Sequence, residues 1–185
     1  MRIRSRILTA LSVTLLAVTG LLAGPSPASA SHTDGHHWAH NGLARSQIYF
    51  VDHTGAAWPV ATVTYKWNQA HGVDSYYETS CPSSRLHCVH VREYNANDGN
   101  YGVTYLNWSG SHFTSVSVYL NNRTVTNPTQ HRKSTCHELG HALGLLHRSQ
   151  TSSCMRQGNA VTDHISMYPD AHDFNALHAL YNHAN

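Results

Sequence analysis

His137-Glu138-Leu139-Gly140-His141-Ala142-Leu143-Gly144-Leu145-Leu146-His147 is the stretch that decides how this 185-residue chain is read. It fits H-E-x-x-H-x-x-G-x-x-H at every specified position. Residues four apart lie one turn above each other on one helix face, so the imidazoles of His137 and His141 can reach the same ion. On a straight helix His147, six residues past His141, would point away. Gly144 supplies the break, because glycine adopts the left-handed backbone that ends a helix and turns the chain, which carries His147 back. Three neutral imidazoles suit one tetrahedral Zn2+ with a position left for water, the arrangement of a catalytic rather than a closed structural site. Zinc lowers the pKa of that water toward about 7 and polarises a scissile carbonyl. Glu138, turned about 100° from His137 around the helix, is not expected to bind the metal and is free to act as general base. In a chain of this composition the motif arises by chance about once in ten thousand sequences.

Outward from the motif, Asn127 is a cap, Pro128 fits the first helical position and Gln130 stands where a capping box places it. Upstream, Ile48 to Val51 is a short β-rich run. From Pro59, Val60, Val63, Thr64 and Trp67 recur at helical steps until Gly72, with Trp67 expected in the core. Three β-like runs follow, Tyr76 to Thr79, Cys88 to Tyr94 and Gly102 to Trp108. A fourth, Thr114 to Leu120, alternates Val116, Val118 and Leu120 with Ser115, Ser117 and Tyr119. After the motif, Phe174, Leu177, Leu180 and Tyr181 recur at helical steps from Asp170. No repeat or long linker interrupts the pattern, so the fold class is α+β in one domain over residues 46–185.

Composition narrows the functions. Seventeen histidines stand against 12 Lys+Arg and 10 Asp+Glu, for a formal charge of +2. Clustered basic residues are lacking, which argues against nucleic acid as a partner. Arg2, Arg4 and Arg6, an apolar stretch from Ile7 to Ala23, and Ala28-Ser29-Ala30 read as a secretory signal peptide over residues 1–30, cut after Ala30. The mature protein is then expected outside the cell, with no membrane partner once the signal is gone. Residues 31–45 carry His32, His36, His37 and His40 with Gly and Asp and little that is apolar; a flexible, solvated leader is expected, with metal capture by its imidazoles the alternative. Elsewhere His53, His71, His112, His164 and His172 read as solvated. In an oxidising compartment the four cysteines allow three pairings. Proximity favours Cys81-Cys88 around a turn, leaving Cys136-Cys154; no C-x-x-C suggests a zinc cluster.

The eleven-residue motif resembles the zinc signature of the metzincin metallopeptidases, and the whole is similar to matrixin-like or snapalysin-like small secreted members. The resemblance implies a single catalytic domain with a twisted mixed β-sheet, a helix in its N-terminal half, a zinc-binding active-site helix and a C-terminal helix packed behind the site. It implies a methionine turn beneath the ligands, for which Met155 in Ser153-Cys154-Met155 has the short spacing and Met167 in Met167-Tyr168-Pro169 is the other candidate. A Cys136-Cys154 bridge would tie the zinc helix to that turn. The resemblance also implies that Thr114 to Leu120 is the edge strand above the cleft, Ser115, Ser117 and Tyr119 holding an extended substrate. A monomer acting on protein or peptide substrates is expected, a secreted zinc endopeptidase.

Three departures matter. Snapalysin-type members have Asp as third ligand where this chain has His147. Astacin-like members have tyrosine where Gln157 stands, so no tyrosine ligand is assigned, though Tyr168 remains a candidate to approach the oxyanion. No cysteine that would block the zinc precedes the first strand. Calcium is a weaker cofactor candidate: Asn95 to Gly102 holds Asp98 and several amides but lacks the carboxylates of a dedicated loop, and a turn is the plainer reading. The alternative function is a secreted, disulfide-stabilised binding module with a structural zinc site. Glu138 separates the two, since a structural site needs no base.

Overall fold

The computed structural model describes residues 32–183; the stretch read as a signal peptide lies outside them. In chain order its elements are β1 (Ser46–Asp52), α1 (Val60–Trp67), β2 (Val73–Glu78), β3 (His87–Tyr94), β4 (Gly102–Ser109), β5 (His112–Asn121), α2 (Pro128–Ala142) and α3 (Ala171–Tyr181). The strands form one mixed sheet in the order β2-β1-β3-β5-β4. Parallel neighbours need a crossover, and α1 supplies it between β1 and β2. The link from β4 to β5 is too short for a crossover, so the two pair antiparallel as a hairpin.

That hairpin corrects one expectation. β5 is inserted between β3 and β4, which makes β4 the edge and β5 an interior strand. Ser117 and Tyr119 have β3 partners His90 and Arg92 on one side and β4 partners Tyr105 and Val103 on the other. Ser115 lies opposite Asn107, whose amide donates to its hydroxyl at 3.0 Å. Ser117 and Tyr119 are thus flanked on both sides, and Ser115 is paired to β4. The alternation of valines and serines reported burial on one face correctly; a face pattern carries no information on which strands flank it. A register shift falls opposite Asn107 and Trp108, where β5 carries one extra residue, Thr114.

Ile48, Phe50, Val89, Val91, Val118 and Leu120 are buried in one core with Trp67 of α1 and Leu139 of α2. The Trp67 indole N–H donates to the Cys136 carbonyl at 3.1 Å, fixing α1 against α2. Helix α1 stops at Trp67, short of Gly72, because Asn68 leaves the helix and its side-chain oxygen accepts from the Ser75 amide.

Helix α2 starts where the sequence places it: Asn127 Oδ1 accepts from the Gln130 amide at 2.8 Å and Pro128 occupies the first turn. The reciprocal half of the capping box does not form. The buried Gln130 carboxamide instead accepts from Ala160 N at 2.7 Å and donates to Ser134 Oγ at 3.0 Å. At the other end Gly144, at φ 101°, sits in the left-handed region, with Gly144 N bonded to His141 O and Leu145 N to Gly140 O. This is a Schellman stop. The carbonyls of Ala142 and Leu143, which a helix end leaves unpaired, take the Trp38 indole N–H at 2.9 Å and the Tyr181 hydroxyl at 3.0 Å. Tyr181 places α3 directly behind the end of α2. Helix α3 carries a full capping box between Asp170 and Asp173.

The N-terminal segment is not loose over the part described. His32, His37, Trp38 and His40 are buried. His37 exchanges backbone bonds with Ser111 and Phe113, and Leu146 N donates to His32 O. Trp38 anchors the segment in the core, and imidazoles have an apolar face that packs where an ammonium would not. Counting polar residues missed both effects.

Candidate metal centre and cleft

Helix α2 and the turn at Gly144 bring the three predicted ligands together. The Nε2 atoms of His137, His141 and His147 lie 3.1 Å from one another in all three pairs. The outward faces of two of them are determined as well. His137 Nδ1 donates to the Cys154 carbonyl at 2.8 Å and His141 Nδ1 to the Leu145 carbonyl at 2.7 Å. A carbonyl only accepts, so each Nδ1 carries the proton and each Nε2 presents a lone pair inward. Burial pushes His137 well below the ordinary imidazole range and His141 down to about 4, keeping both rings neutral.

Three ring nitrogens converge at this distance, two of them with lone pairs turned inward, an arrangement that a cation among them would satisfy. Nitrogens held about 2.0–2.1 Å from a tetrahedral zinc stand about 3.4 Å apart, close to the spacing seen. The donor set, its geometry and its orientation therefore fit Zn2+.

Glu138 is 5% exposed and borders the same cavity of about 370 Å³. Burial pushes its carboxyl up to about 7 in the metal-free chain, while the Thr104 hydroxyl and the Lys133 ammonium pull it down. Thr104, on β4, donates from Oγ1 to Glu138 Oε2 at 2.7 Å, aiming the carboxylate. Two positions before it, Gly102 leaves room: a Cβ there would stand 2.7 Å from Glu138 Cγ. The opposite wall is Gln157 and Gly158, and Lys133 and Ser134 of α2 also line the cavity.

Met155 is fully buried, and a Cβ added at Gly140, between the two ligands of α2, would overlap its sulfur. Met167 lies elsewhere, its sulfur 4.0 Å from Arg132 Nη1. Disulfides join Cys81 to Cys88 and Cys136 to Cys154. The second links the residue before His137 to the residue whose carbonyl orients His137. Tyr168 packs under Lys66 and Arg132, with 5.4 and 5.8 Å to its ring centre, and does not line the cavity. Asp98 caps a turn: its Oδ1 accepts from Asn100 N and Asn121 Nδ2 and its Oδ2 from the Tyr94 hydroxyl.

Reasoning from the sequence alone missed Gly102, Thr104 and Lys133. A glycine heading a strand is a weak signal of close backbone approach; Thr104 and Lys133 gave none, since strand register and burial decide where they point.

A mixed sheet with an antiparallel edge strand, lying over a helix with three convergent imidazoles, defines a metzincin-like zinc-peptidase fold. The sequence matches the matrixin family model over residues 36–182, and the chain belongs to that family of zinc metallopeptidases. No curated protein matches it in sequence. Among solved structures it is similar to a chain of the GM1-bound form of the ECX AB5 holotoxin, at 14% identity and a TM-score of 0.51, covering 81% of this chain and 86% of that one. At that identity the likeness speaks for the fold alone.

Proposed function

We infer that the protein is an exported zinc-dependent endopeptidase in which His137, His141 and His147 hold the metal and Glu138 is the general base. The observation that carries this reading is the pairing of three convergent imidazole Nε2 atoms, 3.1 Å apart, with a buried carboxylate bordering the same cavity. A bound zinc would supply Lewis-acid chemistry, lowering the pKa of a water and polarising a carbonyl oxygen. Glu138, held by Thr104, takes the proton of the attacking water and delivers it to the leaving amine.

Met155 forms the floor under the two helix ligands in this reading, and the Cys136–Cys154 bridge holds floor and helix together. An extended peptide lies along β4, whose outer backbone groups have no strand partner among the described residues, and adds a strand to the sheet. Export through a signal peptide at residues 1–30 agrees with two disulfides and no free cysteine. Among the described residues no helix is long and apolar enough to cross a membrane.

Glu138→Ala tests the assignment. The variant should retain one zinc per chain by elemental analysis while hydrolysis of a peptide library falls about a thousandfold. Unchanged cleavage would remove the mechanism. Zinc bound by the wild type without hydrolysis of any peptide would instead support a structural metal site in a binding module.

A further inference from the structure

Lys133 sits one turn before His137 on α2, is only 2% exposed and lines the cavity that the ligands and Glu138 share. An ammonium buried to this degree calls for an anion or several acceptors, since desolvating it uncompensated is costly. Among the described residues neither is found. No carboxylate of theirs comes within the 4.0 Å of an ion pair. The one polar neighbour they place in hydrogen-bond range is His137 Nδ1 at 3.5 Å, and that nitrogen already donates to the Cys154 carbonyl, so two donors face each other. Glu138 acts on it only at longer range and is engaged by Thr104. Asp163, the other such carboxylate, lies on the exposed loop and is engaged by Asn159 N and the Thr162 hydroxyl. Beside Lys133, Ser134 accepts from Gln130 Nε2 and keeps its own hydroxyl hydrogen to give. The wall opposite is held in place by the same Gln130, through Ala160 N.

We propose that Lys133 determines the specificity of the cleft by binding the carboxylate of a glutamate or aspartate side chain beside the scissile bond. The proposal rests on the endopeptidase reading for the word scissile, and on the unpaired ammonium for the choice of side chain. The cavity is large enough for one such side chain, and the missing counter-ion is what the substrate brings. A charged donor without an acceptor of its own discriminates strongly, because a neutral isostere leaves it buried and unpaired.

The test compares peptides that differ only as Glu or Gln beside the cleaved bond. Wild-type kcat/KM should favour Glu by about tenfold or more. Lys133→Met should bring that ratio close to one, Lys133→Arg should restore part of it, and Lys133→Glu should turn the preference toward lysine. Zinc content and melting temperature, read on the same samples, separate selectivity from damage to the fold, which would lower both rates together and leave the ratio unmoved. Equal cleavage of the Glu and Gln peptides by the wild type would overturn the proposal whatever the variants do. So would a preference that survives Lys133→Met with zinc content intact. A second arm measures equilibrium binding of the same peptides, uncleaved, to the Glu138→Gln chain with and without Lys133→Met. If the wild type cuts no peptide while Lys133-dependent binding of the Glu peptide persists, the endopeptidase reading falls and the carboxylate site stands. Equal binding of both peptides counts against the site.

Discussion

Among the described residues lie two groups of metal-capable side chains, and they differ in what their ligand atoms already hold. His137, His141 and His147 converge on a common point, with the protons of the first two drawn outward onto backbone carbonyls. His32, His172 and Asp173 also place three ligand atoms near one another. There, however, the Asp173 carboxylate is already spent. It takes Arg148 Nη1 at 3.0 Å, the Ser153 hydroxyl at 2.7 Å and the Asp170 amide at 2.8 Å, and His32 Nε2 comes to 3.2 Å from the same group. An ion there would have to compete with the Arg148 guanidinium for the Asp173 carboxylate. Proximity of ligand atoms is thus a poor criterion by itself; what distinguishes a metal centre is that the surrounding structure leaves lone pairs over and points them the same way.

Substitution in each group gives the largest contrast. His141→Ala should lower zinc affinity at least a hundredfold, whereas His172→Ala should leave the stoichiometry at one per chain, both read by titration against a competing chelator. Loss of zinc in the second variant would mean that the second group carries the ion. The next effect concerns how the first group is oriented. Replacing Cys136 and Cys154 together by serine frees the segment whose carbonyl holds His137. Stability should fall by roughly 3 kcal/mol in the chain-entropy model and zinc affinity about tenfold. Calorimetry showing the stability loss with unchanged affinity would show that α2 alone orients the ligand.

Thr104→Val separates the base from the metal more finely. Turnover should drop several-fold, as expected for one lost hydrogen bond to a charged group, with zinc content intact. The smallest effect belongs to the second group. Burial raises the Asp170 carboxyl, but the Ser152 hydroxyl, Arg148 and the Asp173 amide outweigh it and hold it below the ordinary value of 3.8. A lowered folded-state value means that its contribution is complete above about pH 4 and is lost as the pH falls through the folded value. Arg148→Met should therefore melt below the wild type at pH 7, and the gap should narrow under pH 4. A gap constant with pH would deny the ion pair a role in stability.

The parts legible from sequence are those governed by short-range rules. The His137-to-His147 motif foretold that three imidazoles converge because helix periodicity and one glycine determine where three side chains go. Asn127 and Asp170 marked helix starts because capping is a matter of neighbours in the chain. What escaped depends on contacts far apart in sequence. Which strand lies at the edge follows from how the β4–β5 hairpin docks on β3, and no alternation within β5 reports it. Lys133 reads as one more polar position of a helix until the packed fold buries it in the wall of the cavity. The segment around Trp38 reads as hydrophilic until Ala142 and Tyr181 offer it partners.

The step in register between Asn107 and Trp108 comes from Thr114, the extra residue on β5, so the outer side of β4 carries no insertion and its length makes it a ruler. An added strand needs an unbroken run of amides and carbonyls in phase. With a guest peptide on that edge, regular pairing has the 8 residues from Gly102 to Ser109 to run along, and the hairpin turn ends it. Such an enzyme would grip no more than that length of its target on that side, and would need an unfolded stretch no longer than a short loop to begin cutting.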